Sequence, residues 1–192
     1  MRKFRIGLIP GHRSRVPGCS NKFWLLNEFA YNETVCLGIY KILSKKTAFE
    51  TFVFYRPDGN YENAMTRLAM MVNSCDVDWV FEFHCNSAGK KATGYEILHH
   101  FRTSMKNKRA IRIMLKYAMA KSFPTPNRGL KPRSGANRGF KFLDKMYALA
   151  LQMEPGFFSN NDETEMLLNK IKVYIENCAK AICLAYTEVF RK

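Results

Sequence analysis

The apolar and polar positions of the chain follow two periods, one typical of strands and one typical of helices. From Lys3 the residues alternate as far as Ile9 and then reach Pro10-Gly11, which predicts a first strand and its turn. Apolar runs predict further strands over residues 52–55, 78–84, 94–99 and 147–153. Helical spacing predicts helices over residues 27–43, 63–72 and 106–121, and from residue 167 to the end. Strands that alternate with helices predict an α/β fold with a sheet covered on both faces.

The segment between the third predicted helix and the last predicted strand has a different character. Residues 122–140 are rich in proline, glycine and basic side chains, and are predicted to form a long loop. Long loops in compact domains are usually functional. The chain shows no internal repeat and no linker, so a single domain over residues 1–192 is expected.

Composition limits the class of protein. The length suits one domain with a sizeable core, and no apolar run is long enough for a transmembrane helix. The apolar stretch after the basic N-terminus reaches Gly11-His12-Arg13 too soon for the core of a signal peptide, so synthesis in the cytoplasm without such a signal is expected. None of the six cysteines forms a C-x-x-C pair, which favours reduced thiols over a disulfide framework.

The formal net charge is +15, and the basic residues occur along the whole chain, which predicts a broadly basic surface. Nucleic acid, acidic lipid and an anionic cell wall are all compatible partners, and charge alone does not separate them. The sequence contains no helix-turn-helix, RNP or zinc-finger pattern, so no specific nucleic-acid partner is expected.

Histidines and acids stand where an α/β protein keeps its active site. His12 follows the first predicted strand, His84 ends the strand from residue 78, and Glu154 follows the strand ending at residue 153. Ligands bind beyond the carboxyl ends of strands in such sheets. Two imidazoles and a carboxylate suit a catalytic zinc site, and a further carboxylate would supply a general base. There is no H-E-x-x-H motif, so the ligands would have to meet through the fold, and each residue also has a purely structural interpretation.

Six short motifs, in order along nearly the whole chain, resemble the third family of N-acetylmuramoyl-L-alanine amidases. They occupy residues 9–12 (IPGH), 27–28 (NE), 80–88 (VFEFHCNSA), 94–97 (GYEI), 127–131 (NRGLK) and 154–160 (EPGFFSN). The resemblance implies a single three-layer catalytic domain with a twisted, mostly parallel sheet flanked by helices. It implies zinc-dependent hydrolysis of the amide bond between N-acetylmuramic acid and L-alanine in peptidoglycan.

The resemblance also assigns roles to residues. His12, Glu28 and His84 would bind zinc, and Glu154 would act as catalytic base and then acid. Asn86, Arg128 and Lys131 would contact the substrate. The basic residues of the predicted loop, Arg133 and Arg138 included, either bind substrate carboxylates or form a solvated surface.

Some positions depart from the family pattern. Arg13 replaces a glycine after the first histidine, Glu82 replaces a serine and Cys85 an alanine. By strand parity Glu82 points to the same face as His84. It could orient a ligand by accepting a hydrogen bond, compete with Glu28 as the carboxylate ligand, or simply face solvent at an edge. Arg56 and Arg67 are expected at the surface.

Other functions remain open at this stage. The alternatives are a basic module that binds nucleic acid or cell wall without catalysis, and a related zinc carboxypeptidase. For an amidase, the expected setting is a phage endolysin that lyses the host cell or a bacterial autolysin. Such a protein would be a monomer that acts on the cell wall without a separate wall-binding domain.

Overall fold

The computed structural model describes residues 2–191, and its centre is a six-stranded sheet. The strands of this sheet are β1 (Phe4–Pro10), β4 (Phe49–Val53), β5 (Trp79–Phe83), β6 (Tyr95–His100), β7 (Asn127–Arg133) and β8 (Leu149–Glu154). Two short strands, β2 (Ser20–Asn21) and β3 (Leu26–Asn27), form a separate antiparallel hairpin. The helices are α1 (Glu28–Leu43), α2 (Tyr61–Ser74), α3 (Met105–Ile113), α4 (Phe140–Lys145) and α5 (Asn161–Ala185). π-helical turns extend α3 over Met114–Met119 and α5 over Tyr186–Phe190.

The strand order is β4-β1-β5-β8-β6-β7. The first four strands of this order are parallel to one another, while β6 and β7 are parallel to each other and run the opposite way, through the antiparallel β6–β8 pair. The mostly parallel sheet expected from the sequence is therefore confirmed. Parallel neighbours bring the carboxyl ends of β1, β5 and β8 to one edge of the sheet.

Helices cover both faces of the sheet and give three layers. On one face, Ile6, Leu8 and Phe81 of the sheet pack with α1, α3 and α5 in one apolar core. On the other face, Ile9 and Val80 pack with α2 and α4 in a second core. Because successive side chains of a strand point to opposite faces, the central strands must be apolar throughout, as Trp79–Phe83 nearly is. None of the helices within residues 2–191 is both long and apolar enough to span a bilayer.

The main correction to the sequence-based expectations concerns the predicted loop over residues 122–140. It contains the edge strand β7, which pairs with β6 alone. Pro132 and Gly129 make this segment resemble a loop, but an edge strand tolerates proline because one side of it needs no ladder hydrogen bonds. The strand predicted over 52–55 also begins earlier, at Phe49.

Candidate active site

The polar side chains singled out by the sequence converge at one edge of the sheet. His12 lies two residues beyond β1, His84 directly follows β5, and Glu154 is the last residue of β8. Glu28 reaches the same place as the first residue of α1, whose N-cap is Asn27 as predicted.

Three of these residues form a compact His-Glu-His cluster. Glu28 Oε1 lies 2.9 Å from His84 Nδ1, and Glu28 Oε2 lies 3.2 Å from His12 Nε2. One ligand atom from each side chain lies within 4.8 Å of the other two. Glu28 is 2% exposed, whereas the His12 side chain is 28% exposed. The cluster is therefore closed on the protein side and accessible from solvent at His12.

Backbone geometry around the cluster is specialised. His12 has a φ of 68°, in the left-handed region that few residues other than glycine adopt. A Cβ on Gly11 would lie 2.6 Å from His84 Nδ1, and one on Gly18 would lie 2.5 Å from Glu28 Oε2. The two glycines therefore let the backbone approach the cluster closely, and the strain at His12 is of a kind that accumulates at functional sites.

Glu28 is held as a carboxylate. It accepts hydrogen bonds from the backbone N–H groups of Cys85, at 2.9 Å, and Cys19, at 3.1 Å, and from the Cys19 thiol at 3.1 Å. Burial opposes its ionisation, but hydrogen bonds with His12 and His84 outweigh burial and keep the pKa of Glu28 well below its usual range. Burial raises the pKa of the Cys19 thiol, with Glu28 adding to the effect, so Cys19 is a neutral donor.

The donor set fits a divalent cation. Two imidazoles and one carboxylate leave one tetrahedral position open. Burial lowers the pKa of His84, but the carboxylates of Glu82 and Glu28 raise it to about 10 overall. A site that attracts a proton this strongly offers the same negative charge to a metal ion.

Glu82 lies behind His84. It is fully buried, and its Oε2 lies 3.3 Å from His84 Nε2, the ring nitrogen that does not face Glu28. Arg56 Nη2 donates to Glu82 Oε1 at 2.6 Å, and Gln152 Nε2 donates to Oε2 at 2.5 Å. The contact acts through charge, because His84 Nε2 has no hydrogen-bond partner among residues 2–191.

The structure excludes one of the three alternatives left open for Glu82, and the surface position expected for Arg56 is wrong. Glu82 does not face solvent, because β5 is a central strand whose two faces are both covered. The Arg56 side chain is 10% exposed and forms an ion pair with this carboxylate. An arginine of this kind is found in the interior only where an acid pairs with it, and the acid is distant in the chain.

Replacing Glu82 with alanine is expected to destabilise the fold by about 3–5 kcal/mol, because Arg56 is left as an unpaired, nearly buried charge. Replacing both Arg56 and Glu82 with methionine is expected to lower the free energy of unfolding by clearly less than the summed losses of Arg56→Met and Glu82→Met. Urea denaturation of the two single variants and the double variant measures this difference, and additive losses would contradict the pairing.

Burial opposes ionisation of Glu82, but His84 and Arg56 hold its pKa below the usual range. The stabilisation is thus present at neutral pH and lost as pH falls toward that low pKa.

Glu154 is a buried carboxyl group with one unpartnered oxygen. It is 2% exposed, Arg138 Nη2 lies 3.1 Å from its Oε1, and its Oε2 has no hydrogen-bond partner within residues 2–191. Burial raises the pKa of Glu154 to about 7, although His84 and Arg138 favour the carboxylate. A carboxyl group with a pKa near neutrality can both accept and donate a proton.

Of the three predicted substrate residues, the structure brings two to this site. Asn86 is buried and accepts a hydrogen bond from Arg138 Nη2 at 2.7 Å. Arg128 Nε donates to Glu96 at 3.0 Å, and the Arg128 guanidinium lies over the Phe157 ring. Lys131 lies three residues further along β7, opposite Leu98, roughly 10 Å along the strand from Arg128. The structure does not bring Lys131 to the cluster.

Sequence reasoning gave Glu96 no role, and it considered Arg138 only as a residue that binds substrate carboxylates or belongs to a solvated surface. Glu96 accepts hydrogen bonds from Asn86 and Arg128, and Arg138 joins Asn86 to Glu154. A signal for Arg138 is the next residue, Gly139, which has a φ of 82° and where a Cβ would collide with Gln152 of β8. A glycine there lets the preceding loop approach β8, and so brings Arg138 to Glu154.

Comparisons with known proteins agree with this fold. A family model described as N-acetylmuramoyl-L-alanine amidase matches residues 6–188. No curated protein sequence matches the chain. Among solved structures, the catalytic domain of CwlV, an N-acetylmuramoyl-L-alanine amidase from Bacillus (Paenibacillus) polymyxa var. colistinus, has a TM-score of 0.81 and 19% identity, covering 98% of this chain and 99% of that domain.

Two further structures are similar over nearly their whole length. The N-acetylmuramoyl-L-alanine amidase from Clostridium difficile 630 has a TM-score of 0.82 and 18% identity, with 98% of each chain covered. The catalytic domain of the CD27L endolysin, which targets Clostridia difficile, has a TM-score of 0.77 and 16% identity, covering 94% of this chain and 97% of that one. At such identities the structures show a common fold, while the family model, which spans nearly the whole chain, shows the family. The chain belongs to the N-acetylmuramoyl-L-alanine amidases, enzymes that hydrolyse an amide bond of peptidoglycan.

Proposed function

We propose that the protein is a zinc-dependent amidase that cuts between N-acetylmuramic acid and L-alanine, with zinc held by His12, Glu28 and His84. The observation that carries the proposal is the His-Glu-His cluster, whose ligand atoms lie within 4.8 Å of one another. The proposal is supported further by the buried Glu154 at the end of the neighbouring strand. A module that binds without catalysis is less well supported, because all four residues are present.

The metal and the chain have separate tasks. Zinc suits two imidazoles and a carboxylate, and when bound it polarises the substrate carbonyl and lowers the pKa of a water molecule toward ~7. The chain holds the ligands in place through the backbone N–H groups of Cys19 and Cys85 on Glu28 and through Glu82 on His84. These contacts keep the ligand atoms in position before a substrate arrives.

Glu154 moves the protons of the reaction. Its unpartnered Oε2 accepts a proton from water as the water oxygen bonds to the carbonyl carbon. The same carboxyl group then donates a proton to the alanine nitrogen as the carbon–nitrogen bond breaks, because an amide anion is a poor leaving group. A pKa near 7 suits both steps. The products are a carboxylate on the muramic acid and a free amino group on L-alanine.

Two arginines at the site have different tasks. Arg138 Nη2 lies 3.1 Å from Glu154 Oε1 and 2.7 Å from Asn86 Oδ1, so it fixes the Glu154 side chain and favours its ionised form. Arg128 has a 41% exposed side chain and is free on its outer side to bind a carboxylate of the substrate.

Replacing Arg138 with glutamine is expected to move the acid limb of the kcat/KM profile to higher pH by about one unit. Glu154 must be ionised to accept a proton, so activity falls as pH drops through its pKa, which burial raises to about 7. Loss of the neighbouring cation raises that pKa further, whereas the bound metal affects both proteins alike. Lys141→Gln is the control, because Lys141 pairs with Glu62 away from the site. An acid limb that stays in place or moves to lower pH in Arg138→Gln would contradict this role.

The bond that is cut identifies the reaction. Purified peptidoglycan digested by the wild type is expected to release stem peptides with free L-alanine amino termini, and a chelator is expected to stop the release. Mass spectrometry of the products separates the possibilities. New reducing sugar ends would indicate a glycosidase, and shortened stem peptides still attached to muramic acid would indicate a carboxypeptidase.

The biological setting that we propose is lysis of a host cell by a monomeric enzyme acting on the cell wall. Similarity to the catalytic domain of the CD27L endolysin supports this setting. A single chain supplies the whole site, which supports the monomer. Purified protein added to cells is expected to lyse them once their membranes have been permeabilised. If a preparation that still cuts purified peptidoglycan fails to lyse such cells, the result would argue against host-cell lysis and for a bacterial autolysin.

A further inference from the structure

The net charge is concentrated in one segment of the chain. Residues 97–143 contain twelve lysines and arginines and no aspartate or glutamate. The rest of the chain carries the other nineteen basic residues together with all sixteen acids. Basic residues do occur along the whole chain, as expected from the sequence, but outside this segment acids nearly balance them. Most of the net charge of +15 comes from about a quarter of the chain.

This segment forms one side of the molecule, which we call the basic edge and define as the basic side chains of residues 102–141. The segment runs from β6 through α3 and its π-helical extension to β7 and α4. β7 is the edge strand of the sheet, and α3 and α4 pack on its opposite faces. The basic residues that acids along the same segment do not balance thus lie around one edge of the sheet.

Most of these charges are available to a ligand. Only Arg109, Arg128, Arg138 and Lys141 form ion pairs with other residues of the described range 2–191. The Arg109 pair with Glu188 is long, at 3.7 Å, and exposed on both sides, so it contributes little. Eight basic side chains of the edge therefore have no acidic partner among the described residues.

The arrangement along α3 suits a ligand with repeated charges. Arg109 and Arg112 on α3 and Lys116 on its π-helical extension recur at helical spacing and are all exposed, so they lie on one side of the continuous helix. One helical turn separates neighbours by ~5.4 Å along the axis. A row of cations at this interval is matched by a linear polyanion, whereas a single carboxylate would use one position only.

The basic edge is continuous with the active site. Arg128, near the start of β7, contacts Glu96, and Arg138 contacts both Glu96 and Glu154. A polymer lying along α3 and β7 would therefore lead toward the cluster. This continuity favours a polyanion that is part of the cell wall, beside the peptidoglycan, over an unrelated one.

We propose that the basic edge binds a phosphodiester polymer of the cell wall and holds the enzyme on its substrate. This rests on the proposed function, which places the enzyme at peptidoglycan. Arginine matches phosphate oxygens with paired hydrogen bonds, and lysine matches them as a point charge. The edge then does the work of a wall-binding module within the catalytic domain.

The test compares cosedimentation with two preparations of purified walls, one intact and one stripped of phosphodiester polymers with hydrofluoric acid. Lys106, Arg109, Arg112 and Lys116 are all changed to glutamate in one variant and all to glutamine in another. The control variant changes four exposed lysines outside the segment, Lys41, Lys45, Lys170 and Lys172, to glutamate. Circular dichroism and thermal unfolding confirm that each variant is folded. Release of L-alanine amino termini from stripped walls reports the basal activity separately.

Wild type and the control variant are expected to bind intact walls with similar affinity and a steep salt dependence, and to bind stripped walls weakly. The glutamate variant is expected to bind intact walls at least about tenfold more weakly near 0.15 M salt. Its slope of log affinity against log salt should be shallower by about three, at ~0.7–0.9 per lost phosphate contact. The glutamine variant should show a smaller loss in the same direction. All variants should cut stripped walls at the wild-type rate.

Several outcomes would overturn the proposal. Equal binding to intact and stripped walls would mean that the ligand is peptidoglycan itself. An equal loss in the control variant would mean that net charge, and not this edge, governs binding. Tighter binding of the same edge to duplex DNA than to intact walls would assign the edge to nucleic acid. Failure of every variant to cut stripped walls would instead reject the proposed function and leave the binding result standing.

Discussion

Replacing Glu154 with glutamine is expected to lower kcat for peptidoglycan hydrolysis by roughly 10²–10⁴-fold, the usual contribution of a positioned acid–base group. Glutamine keeps the size of the side chain but neither accepts the proton of water nor returns it to the alanine nitrogen. Because Glu154 is not a member of the His-Glu-His cluster, zinc content should stay at the wild-type level. The measurement is the initial rate of appearance of free L-alanine amino groups, alongside zinc analysis of the same preparation.

Glu165→Gln is the matched control, since Glu165 is an exposed glutamate on α5. It should keep the wild-type rate. A Glu154→Gln variant that retains more than about a tenth of the wild-type kcat would show that another group moves the proton. A variant that loses both activity and zinc would show that Glu154 contributes to holding the metal.

Removing any one ligand of the cluster is expected to abolish both zinc binding and catalysis. Alanine at His12, Glu28 or His84 leaves two ligands, too few for a stable catalytic site. The charge stabilisation supplied by the metal amounts to several kcal/mol, so the rate should fall by at least about 10³-fold, at tenfold per ~1.4 kcal/mol. Inductively coupled plasma mass spectrometry on dialysed protein should give about one zinc per wild-type chain and almost none for each variant.

His100→Gln is the control for these variants. His100 is the last residue of β6, which runs antiparallel to β8 and so ends on the side of the sheet opposite the cluster. There its Nε2 lies 3.3 Å from Asp144. This variant should keep both its zinc and its rate. Normal zinc content in Glu28→Ala would contradict the assignment of Glu28 as a ligand. Normal zinc content together with full activity in His12→Ala would contradict the cluster as a whole.

The residues of the cluster could be predicted from sequence because each is tied to the end of a strand or the start of a helix. Alternation located the end of β1 and an apolar run located the end of β5, each to within a residue, and hence the positions of His12 and His84. The Asn27 cap located the start of α1, and hence Glu28. Parallel strands bring such positions together at one edge, while the resemblance to the amidase family supplied the assignment of His12, Glu28 and His84 as ligands.

The surroundings of the cluster could not be predicted in the same way. Whether Arg56 is exposed depends on the Glu82 carboxylate opposite it, 26 residues away in the chain. In the sequence Arg138 resembles the other basic loop residues, and its contact with Glu154 depends on the approach of the loop to β8 at Gly139. The local pattern of apolar and polar residues predicts strands and helices, whereas these ion pairs depend on how distant segments of the chain pack.

The strand β7 escaped prediction for a related reason. Its Gly129 and Pro132 are signals for a loop, and its pairing with β6 depends on a tertiary contact at the sheet edge. The consequence extends beyond secondary structure. A free loop would have left Lys131 able to reach the substrate, whereas the strand holds it opposite Leu98.

The most direct measurement is an anomalous-diffraction map, recorded at the zinc absorption edge from crystals of the protein grown with zinc. We expect one strong peak within bonding distance of His12 Nε2, the Glu28 carboxylate and His84 Nδ1, with the Glu154 carboxyl group facing the open side of the ion. No peak between these three side chains, or a single peak bound by other residues, would contradict the assignment of this cluster as the catalytic centre.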